Sequence, residues 1–400
     1  MKDYQFHTEV SKEEFDHFVQ NHRFCNLLQS YDWAKVKSNW EALHTGVYQD
    51  GKLQAAGLVL IKQLPLSLSM FYVPKGPVLD FENADLVQFY FQELKKVARK
   101  RHCILIKFDP GIVIREFTLS QRDAPLYGYT ETILENIKRI HAQHKGFTTY
   151  IEETVQPRFH MGLKSCDLEE HLPKSTKRSI KKATKKNVVV EEVGIKGLPE
   201  FAQIMHMTEE RKNVHLRTED YFRLLLQTYP TAHLYLAYVD PLQRKNELLQ
   251  KKKELEARIA QKPNKKAEHE LLQNQEELTS IQKVCEKYPH KTAIAGGMMI
   301  GYGKEYEMLY AGSNDDFMNF RPQYLLYARQ FQDAFENQAE FVTMGGVDGD
   351  FQDGLSEFKS NFAPYIREYI GEFDLPVHRV LYALAIKAMP LAKKMLKKKA

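Results

Sequence analysis

Apolar positions recur along this chain with two different periods, and the alternation between those periods predicts its architecture. From Ser11 to Gln20 a serine stands at the N-cap position, acids fill the first turn, and Phe15, Phe18 and Val19 recur at helical spacing. Tyr31 to Lys37 continues as a second amphipathic stretch. Gln54 to Leu64 and Ser69 to Val73 are short apolar runs that read as strands, and Pro74-Lys75-Gly76-Pro77 reads as a turn. Ala84 to Arg101 carries Leu86, Val87, Phe89, Tyr90, Leu94, Val97 and Ala98 with the period of a helix, and it leads into the buried-strand pattern Cys103 to Phe108. Strands and helices interleave, which is an α/β order.

A second unit begins near Thr148. Thr148 to Glu153 and Arg158 to Leu163 read as strands, Lys174 to Lys186 as a basic helix, and Val188 to Val193 as a strand. Two helices follow, Leu198 to Lys212 and Thr218 to Tyr229, and then the strand Ala232 to Val239. After an interruption come the strand Thr292 to Tyr302, the segment Glu305 to Ala311 and a helix from about Pro322 to Ala339. The two halves share one succession of elements, which predicts a duplicated fold without a residue-level repeat. The interruption, Leu242 to Tyr288, is almost all Lys, Glu, Gln, Leu and Ala and is broken once at Pro263-Asn264. Leu248, Leu255 and Ile259 before the break and Leu271, Leu278 and Ile281 after it keep a near-heptad spacing, which predicts an antiparallel helical hairpin. The expected layout is a first domain over residues 1–150 completed by 371–400, a second over 151–370, and an arm over 241–290 inserted in the second. Leu375 to Ala400 reads as a helical stretch ending in lysines, suited either to an anionic bilayer or to docking as a terminal helix.

Length and composition agree with this division. Four hundred residues exceed the usual single domain, and 43% hydrophobic with 27% charged residues describes a folded chain with a core. A formal charge of +5, from 57 Lys and Arg against 52 Asp and Glu, demands no nucleic-acid partner, so local clustering must carry any such argument. Cys25, Cys103, Cys166 and Cys285 lie far apart without CxxC spacing, which suggests reduced thiols in the cytosol. The start MKDYQFHTEV has no apolar signal region, and no uncharged run approaches the ~18 residues of a membrane span. The expectation is a cytoplasmic protein that at most touches a membrane surface.

Most motifs that carry chemistry are missing. There is no GxxxxGK[ST] and no GxSxG; Gly296, Gly297, Gly301 and Gly303 fall in a predicted strand and turn, and Gly345 to Gly349 lacks the context of a dinucleotide site. His141 and His144 form an HxxH pair without a third ligand. No cofactor or metal is expected, and any transfer reaction must use a donor that is already activated. The helix Lys174 to Lys186 carries Lys174, Lys177, Arg178, Lys181, Lys182, Lys185 and Lys186 over one broad face, with Ile180 and Ala183 opposite. Seven cations without an acid between them repel one another, which favours a phosphate partner, from nucleic acid or lipid, over a merely solvated face. Near the N-terminus Trp33, Lys37 and Trp40 share one helical side, an amine between two indoles that suits a diphosphate–sugar group.

The stretch Leu28 to Trp40, the run Ile106-Lys107-Phe108-Asp109-Pro110, the helix Ser175 to Lys186, Arg217 to Tyr221 (RTEDY), Tyr310-Ala311-Gly312-Ser313 and Gly354 to Phe362 (GLSEFKSNF) follow one another in an order that resembles the Fem/MurM (FemABX) peptidyltransferases over nearly the whole length. QSYDWAKVKSNW is most similar to the streptococcal MurM-like branch. The resemblance implies two domains of the GCN5-related acetyltransferase fold, in agreement with the duplicated pattern. It implies an aminoacyltransferase that moves an amino acid, serine or alanine, from aminoacyl-tRNA to the stem-peptide lysine amine of lipid II and so starts the peptidoglycan bridge. It places the protein at the inner face of the plasma membrane as a peripheral protein.

Carried over by position, the resemblance implies that Lys37 and Arg217 hold the precursor's phosphates, with Trp40, Tyr221 and Tyr310 along the same channel. Asp109 would sit by the acceptor amine and Lys359 near the tRNA end, while Lys177, Arg178, Lys181 and Lys182 offer an anion surface for tRNA. The second half departs from true acetyltransferases in lacking their pyrophosphate loop, (Q/R)xxGxG/A, which counts against acetyl-CoA. An ester on tRNA needs no ATP or metal, but a lysine amine with pKa about 10.4 must lose a proton before it attacks, and an aspartate near 3.9 is a poor base unless burial raises it. A CoA-dependent N-acyltransferase and a non-catalytic tRNA- or membrane-binding adaptor are the competing readings.

Overall fold

The computed structural model describes residues 3–212 and 217–387. They form two compact units: Met1–Ser165 with Gly301–Glu307 and Gln338–Ala400, and Cys166–Ile300 with Met308–Asn337.

In the first unit one sheet runs in the order Tyr4–His7, Glu41–Gln49, Lys52–Leu64, Leu68–Val73, Cys103–Phe108, Phe373–Pro376 and Gln143–His144, with Val78–Leu79 paired to Lys52–Leu64. Leu68–Val73 and Cys103–Phe108 are parallel, whereas the neighbouring pairs are antiparallel. A parallel pair needs a crossover, and the helix Ala84–Lys100 supplies it. Asn83 caps this helix by accepting the Leu86 amide, and one helical stripe of Leu86, Val87, Tyr90, Phe91, Leu94 and Ala98 is buried in the core with Phe71, Ile106 and Phe108. The strands Phe341–Val347, Phe159–Lys164, Tyr365–Tyr369 and Val113–Phe117 pair antiparallel in that order, and Glu305–Glu307 runs parallel to Phe341–Thr343.

The parallel register sets Val73 opposite Phe108, so the chain leaves both strand ends side by side, through Pro74-Lys75 on one and Asp109 on the other. The two exits are tied together. The Lys75 amide donates to Asp109 Oδ1 at 3.2 Å, and the Gly111 amide donates to the Lys75 carbonyl at 3.1 Å. Gln29, fully buried, braces the turn: its Nε2 donates to Pro74 O at 2.6 Å and its Oε1 accepts the Leu58 amide at 2.8 Å. A side chain at Gly76 would meet Gln29 at 2.3 Å, so that position has room only for glycine.

In the second unit Val189–Glu192, Ala232–Val239 and residues 292–300 pair antiparallel, and residues 308–313 follow in the strand order. The helices Lys174–Lys185 and Pro322–Glu336 pack together, as do Leu198–Lys212 and Glu219–Thr228. Gly296 and Gly297 are close-packing positions, where a Cβ would meet Phe201 at 2.7 Å and Gln330 at 3.0 Å. The charged interruption forms two helices packed on each other, Pro241–Gln261 and Lys265–Lys287, capped by Asp240 and Asn264. Leu248, Leu255, Ala267 and Ile281 are buried in their seam, while Leu271 and Leu278 are only half-buried.

Two readings change. Thr148 to Glu153 is no strand but a short 3-10 turn over Ile151–Glu153, because the Glu153 carboxylate takes the Thr149 and Tyr150 amides at 2.9 and 2.7 Å. Within Leu375 to Ala400, the first residues belong to the strand Phe373–Pro376, helix begins at residue 379, and residues 388–400 lie outside the described residues.

Gln29→Ala would leave the Leu58 amide and the Pro74 carbonyl buried without their partner, a loss of about 2–4 kcal/mol. The expected result is a lower urea midpoint with an unchanged m-value; an unchanged midpoint would refute the bracing role.

Candidate functional site

The two strand exits of the first unit bring ionisable groups together inside the protein. Asp109 is only 4% exposed. Burial pushes its carboxyl up to about 7, against the pull of Lys75, of the Lys75 amide and of the Tyr72 hydroxyl, which all favour the ionised form. Oδ2 is buried and makes no hydrogen bond of good geometry among the described residues, although the Tyr72 hydroxyl acts on its charge.

Lys75, 3% exposed, adopts a left-handed backbone (φ 50°) and lays its ammonium 3.9 Å from the centre of the Tyr369 ring. Burial lowers its pKa, and Asp109 and Glu307 act in the opposite sense. Glu307 lies on the strand Glu305–Ser313. It accepts a hydrogen bond from Asn26 at 3.3 Å, and burial, with Glu305 beside it, pushes its carboxyl up to about 7. His160, whose ring centre is 5.1 Å from that of Tyr369, is held neutral by burial and by the charges of Lys75, Lys359 and Arg367.

Of the residues singled out from the sequence, Lys359 joins Asp109 in this cluster. Lys359, on the helix Gly354–Ser360, is buried and donates to the Gly346 carbonyl at 2.9 Å while its charge acts on His160. It is therefore not an exposed loop lysine. Trp40 lies 6.4 Å from the Tyr72 ring, which leads to Asp109, and the Lys62 ammonium lies 5.6 Å from the centre of the same indole. Lys37 is half-buried, with its ammonium 5.5 Å from the Trp33 ring. Trp33 itself is core.

In the second unit the exposed Arg217 guanidinium lies 5.1 Å from the Tyr221 ring, and Tyr221 meets Tyr310 edge-on at 6.1 Å. Phe222 packs on Tyr310 at 5.0 Å and fixes it. The three predicted residues thus form one arginine–tyrosine cradle, with Arg217 just before the helix Glu219–Thr228, Tyr221 on it and Tyr310 on the strand Glu305–Ser313. On the basic helix Lys174, Arg178, Lys181, Lys182 and Lys185 are exposed. Lys177 donates to the Glu169 carbonyl at 2.7 Å. Lys186 departs from the expected single cationic face: it is buried over the Phe320 ring at 4.8 Å and pairs with Glu277 of the hairpin at 3.5 Å. No group of three His, Cys, Asp or Glu side chains suited to a metal occurs among the described residues.

The family model for the FemAB family matches residues 10–389. The chain belongs to the FemAB family. A Staphylococcus aureus (strain bovine RF122 / ET3-1) protein named Lipid II:glycine glycyltransferase is 27% identical over 413 residues, with 95% of each chain covered. The crystal structure of FemX superposes with a TM-score of 0.78 at 25% identity, covering 95% of this chain and 99% of that one. A tandem GNAT protein from the clavulanic acid biosynthesis pathway superposes with a TM-score of 0.51 at 7% identity over 94% of this chain and 99% of its own, which shows a shared fold. The duplicated pattern is thus that of paired GCN5-related acetyltransferase-like domains, here with the helical hairpin inserted.

Within this FemAB-family chain the sequence reading missed Lys75, Glu307, Tyr72 and His160. Lys75 was legible only as part of a turn. One available signal was a lysine between Pro74 and Gly76-Pro77, since a turn this rich in Pro and Gly serves a fixed backbone and its single long side chain must go somewhere.

The raised carboxyl of Asp109 carries a stability signature. Between its ordinary value near 3.9 and about 7 the folded state holds a proton that the unfolded chain releases, so Asp109 makes the fold less stable as pH rises through that window. Asp109→Asn, which keeps an acceptor for the Lys75 amide, removes this dependence. Urea midpoints measured from pH 4 to 8 should show wild type losing ground to the variant as pH rises, with the gap levelling above about 7; parallel curves would show that Asp109 titrates normally.

Proposed function

We propose that this protein is an aminoacyl-tRNA-dependent transferase that joins a small amino acid to the stem-peptide lysine amine of lipid II, an early step of peptidoglycan bridge assembly. The observation that carries the reading is the buried Asp109 carboxyl, with Oδ2 unpartnered and a proton affinity near neutrality, inside a FemAB-family chain. An acceptor ammonium supplies the donor that Oδ2 lacks. Its proton passes to Asp109, the freed nitrogen attacks the ester carbon of the charged tRNA, the new C–N bond forms, and the ester C–O bond breaks. The departing ribose oxygen takes up the second proton of the attacking nitrogen and Asp109 returns the first to solvent, so ammonium and ester become amide, alcohol and one released proton without ATP or metal.

The other residues take roles that suit their settings. Lys359 adds positive potential to the Asp109 cluster, where the ester oxygen gains charge. Trp40 lines the approach by Tyr72, and Lys37 presents an amine for a precursor phosphate. The Arg217–Tyr221–Tyr310 cradle holds an anionic group by charge and ring face. Lys177, Arg178, Lys181 and Lys182 bind the tRNA backbone. Because lipid II is membrane-linked, the reaction belongs at the inner face of the membrane, with the protein bound peripherally; no helix among the described residues is long and apolar enough to cross. Serine and alanine are the donors the sequence suggests, whereas the Staphylococcus aureus relative is named for glycine; a small side chain is what these share.

The test incubates the protein with lipid II and tRNA charged with radiolabelled glycine, alanine or serine and follows label into the lipid. One of the three is expected to transfer, and Lys37→Ala or Arg217→Ala should each lower turnover at least about 100-fold while tRNA binding persists, a loss of about 3 kcal/mol in transition-state stabilisation. Transfer from acetyl-CoA, or tRNA binding with no label transfer from any donor, would overturn the proposal in favour of an acyltransferase or an adaptor.

A further inference from the structure

A second charged site lies in the first unit, apart from the Asp109 cluster and untouched by the mechanism. A cavity of about 660 Å³ is lined by Lys95, His141, Lys145, Arg379 and Lys387 together with Tyr382 and Ile386. Lys95 comes from the crossover helix Ala84–Lys100, His141 and Lys145 flank the strand Gln143–His144, and Arg379 and Lys387 lie at the two ends of the helical residues 379–387. Three separate segments therefore aim cations at one space.

These cations are not neutralised from within. Lys95, Arg379 and Lys387 form no ion pair among the described residues, and neither does Arg99 one turn along from Lys95. Lys145 reaches Asp374 at 3.6 Å, but that carboxylate is already shared with Lys107 at 2.8 Å and with the Tyr382 hydroxyl at 3.0 Å. The lysine pKa reports the same crowding: burial lowers that of Lys95, and Arg99 and Arg379 lower it further. Like charges held together in this way favour an anionic ligand.

The rim of the cavity is apolar. Residues 379–387 are helical, and Tyr382 anchors this helix by donating to Gln143 and Asp374. Val380 and Leu384, four residues apart and so on one helical face, are 66% and 59% exposed, with Ala383 exposed between them. Arg379 and Lys387 bracket that face. An apolar stripe flanked by cations, beside a cationic cavity of headgroup size, is the pattern of a helix lying in a membrane interface. Beyond it the sequence continues with Lys393, Lys394, Lys397, Lys398 and Lys399.

We propose that this face seats the protein on an anionic phospholipid bilayer, with Val380 and Leu384 entering the acyl boundary and a lipid phosphate held by Lys95, Arg379 and Lys387. The inference deepens the membrane-linked reading above, but it stands on its own residues. None of them belongs to the Asp109 cluster or to the Arg217 cradle.

The test is co-sedimentation of the full chain with vesicles of phosphatidylcholine alone and of an equal mixture with phosphatidylglycerol. Wild type is expected to bind the mixed vesicles and not the neutral ones. Lys95→Gln with Arg379→Gln should weaken that binding about 30-fold, which is the ~1 kcal/mol per surface cation of an anionic interface taken twice, at 1.4 kcal/mol per decade. Val380→Asp with Leu384→Asp, both at exposed positions, should abolish it with an unchanged thermal midpoint. Equal binding to neutral vesicles, full binding by either double variant, or binding of soluble glycerol phosphate without any partition onto vesicles would overturn the proposal. Turnover on a water-soluble nucleotide-linked precursor, which keeps both the diphosphate and the stem-peptide lysine but has no lipid, separates the two readings. If wild type and both variants turn it over alike while only wild type binds vesicles, both stand; if none turns it over and the vesicle pattern holds, the transferase reading fails alone.

Discussion

Burying Lys75 beside Asp109 and Glu307 is the constraint from which the site in the first unit follows. The ammonium rests on the Tyr369 ring and makes no direct ion pair among the described residues, yet the carboxyls of buried Asp109 and half-buried Glu307 act on it. Removing three ionisable groups from water together penalises every charged form, and the mutual attraction recovers only part of that. The result is two carboxyls, Asp109 and Glu307, whose proton affinities lie near 7. His160 stays neutral because burial, and then the cations around it, disfavour its charged form, so it does not compete for the proton.

That constraint is only possible because the backbone is fixed first. Leu68–Val73 and Cys103–Phe108 are parallel, and their exits must lie next to each other at the same sheet edge. The left-handed conformation at Lys75 is a strained choice for a side chain of that length. It persists because Gln29 holds Pro74, Asp109 takes the Lys75 amide and Gly111 takes its carbonyl. A site at the C-terminal ends of parallel strands is where α/β sheets in general place ligands. Here the position follows from hydrogen bonds to a single four-residue turn.

Much of this was legible in the sequence, and the exceptions share a cause. Cys103–Phe108 reads as a strand because six residues alternate or run apolar between a basic helix end and Asp109-Pro110. The hairpin helices read from their seam, since a heptad survives any surroundings. Asp109, Lys359 and the Arg217–Tyr221–Tyr310 set came from their place in an ordered set of short segments, and the structure brings the last three into contact and sets the charge of Lys359 on His160. The strands Glu41–Gln49 and Val113–Phe117 escaped notice because their burial is mixed on both faces, which blurs the two-residue period, and Tyr365–Tyr369 because the charged Arg367 and Glu368 sit inside it. Phe341–Val347 escaped because Gly345 and Gly346 interrupt its apolar run. Lys75 and Glu307 could not be joined from sequence at all. Their partnership spans 232 positions in the chain, and nothing in either local pattern reports it.

The same burial explains how a carboxylate could serve an amine at neutral pH. Moving a proton from a lysine ammonium near 10.4 to an aspartate near 3.9 is uphill by about 9 kcal/mol in water. With Asp109 near 7 the gap falls to about 5 kcal/mol, before the acceptor's own desolvation lowers it further. The remainder is of the size that fixed geometry can offset, since holding reactants in place is worth several kcal/mol. Raising Asp109 much further would make it a better acceptor but leave it already protonated before the amine arrives. A carboxyl near 7, kept there by Lys75 on one side and burial on the other, is ionised often enough to receive the proton and basic enough to take it.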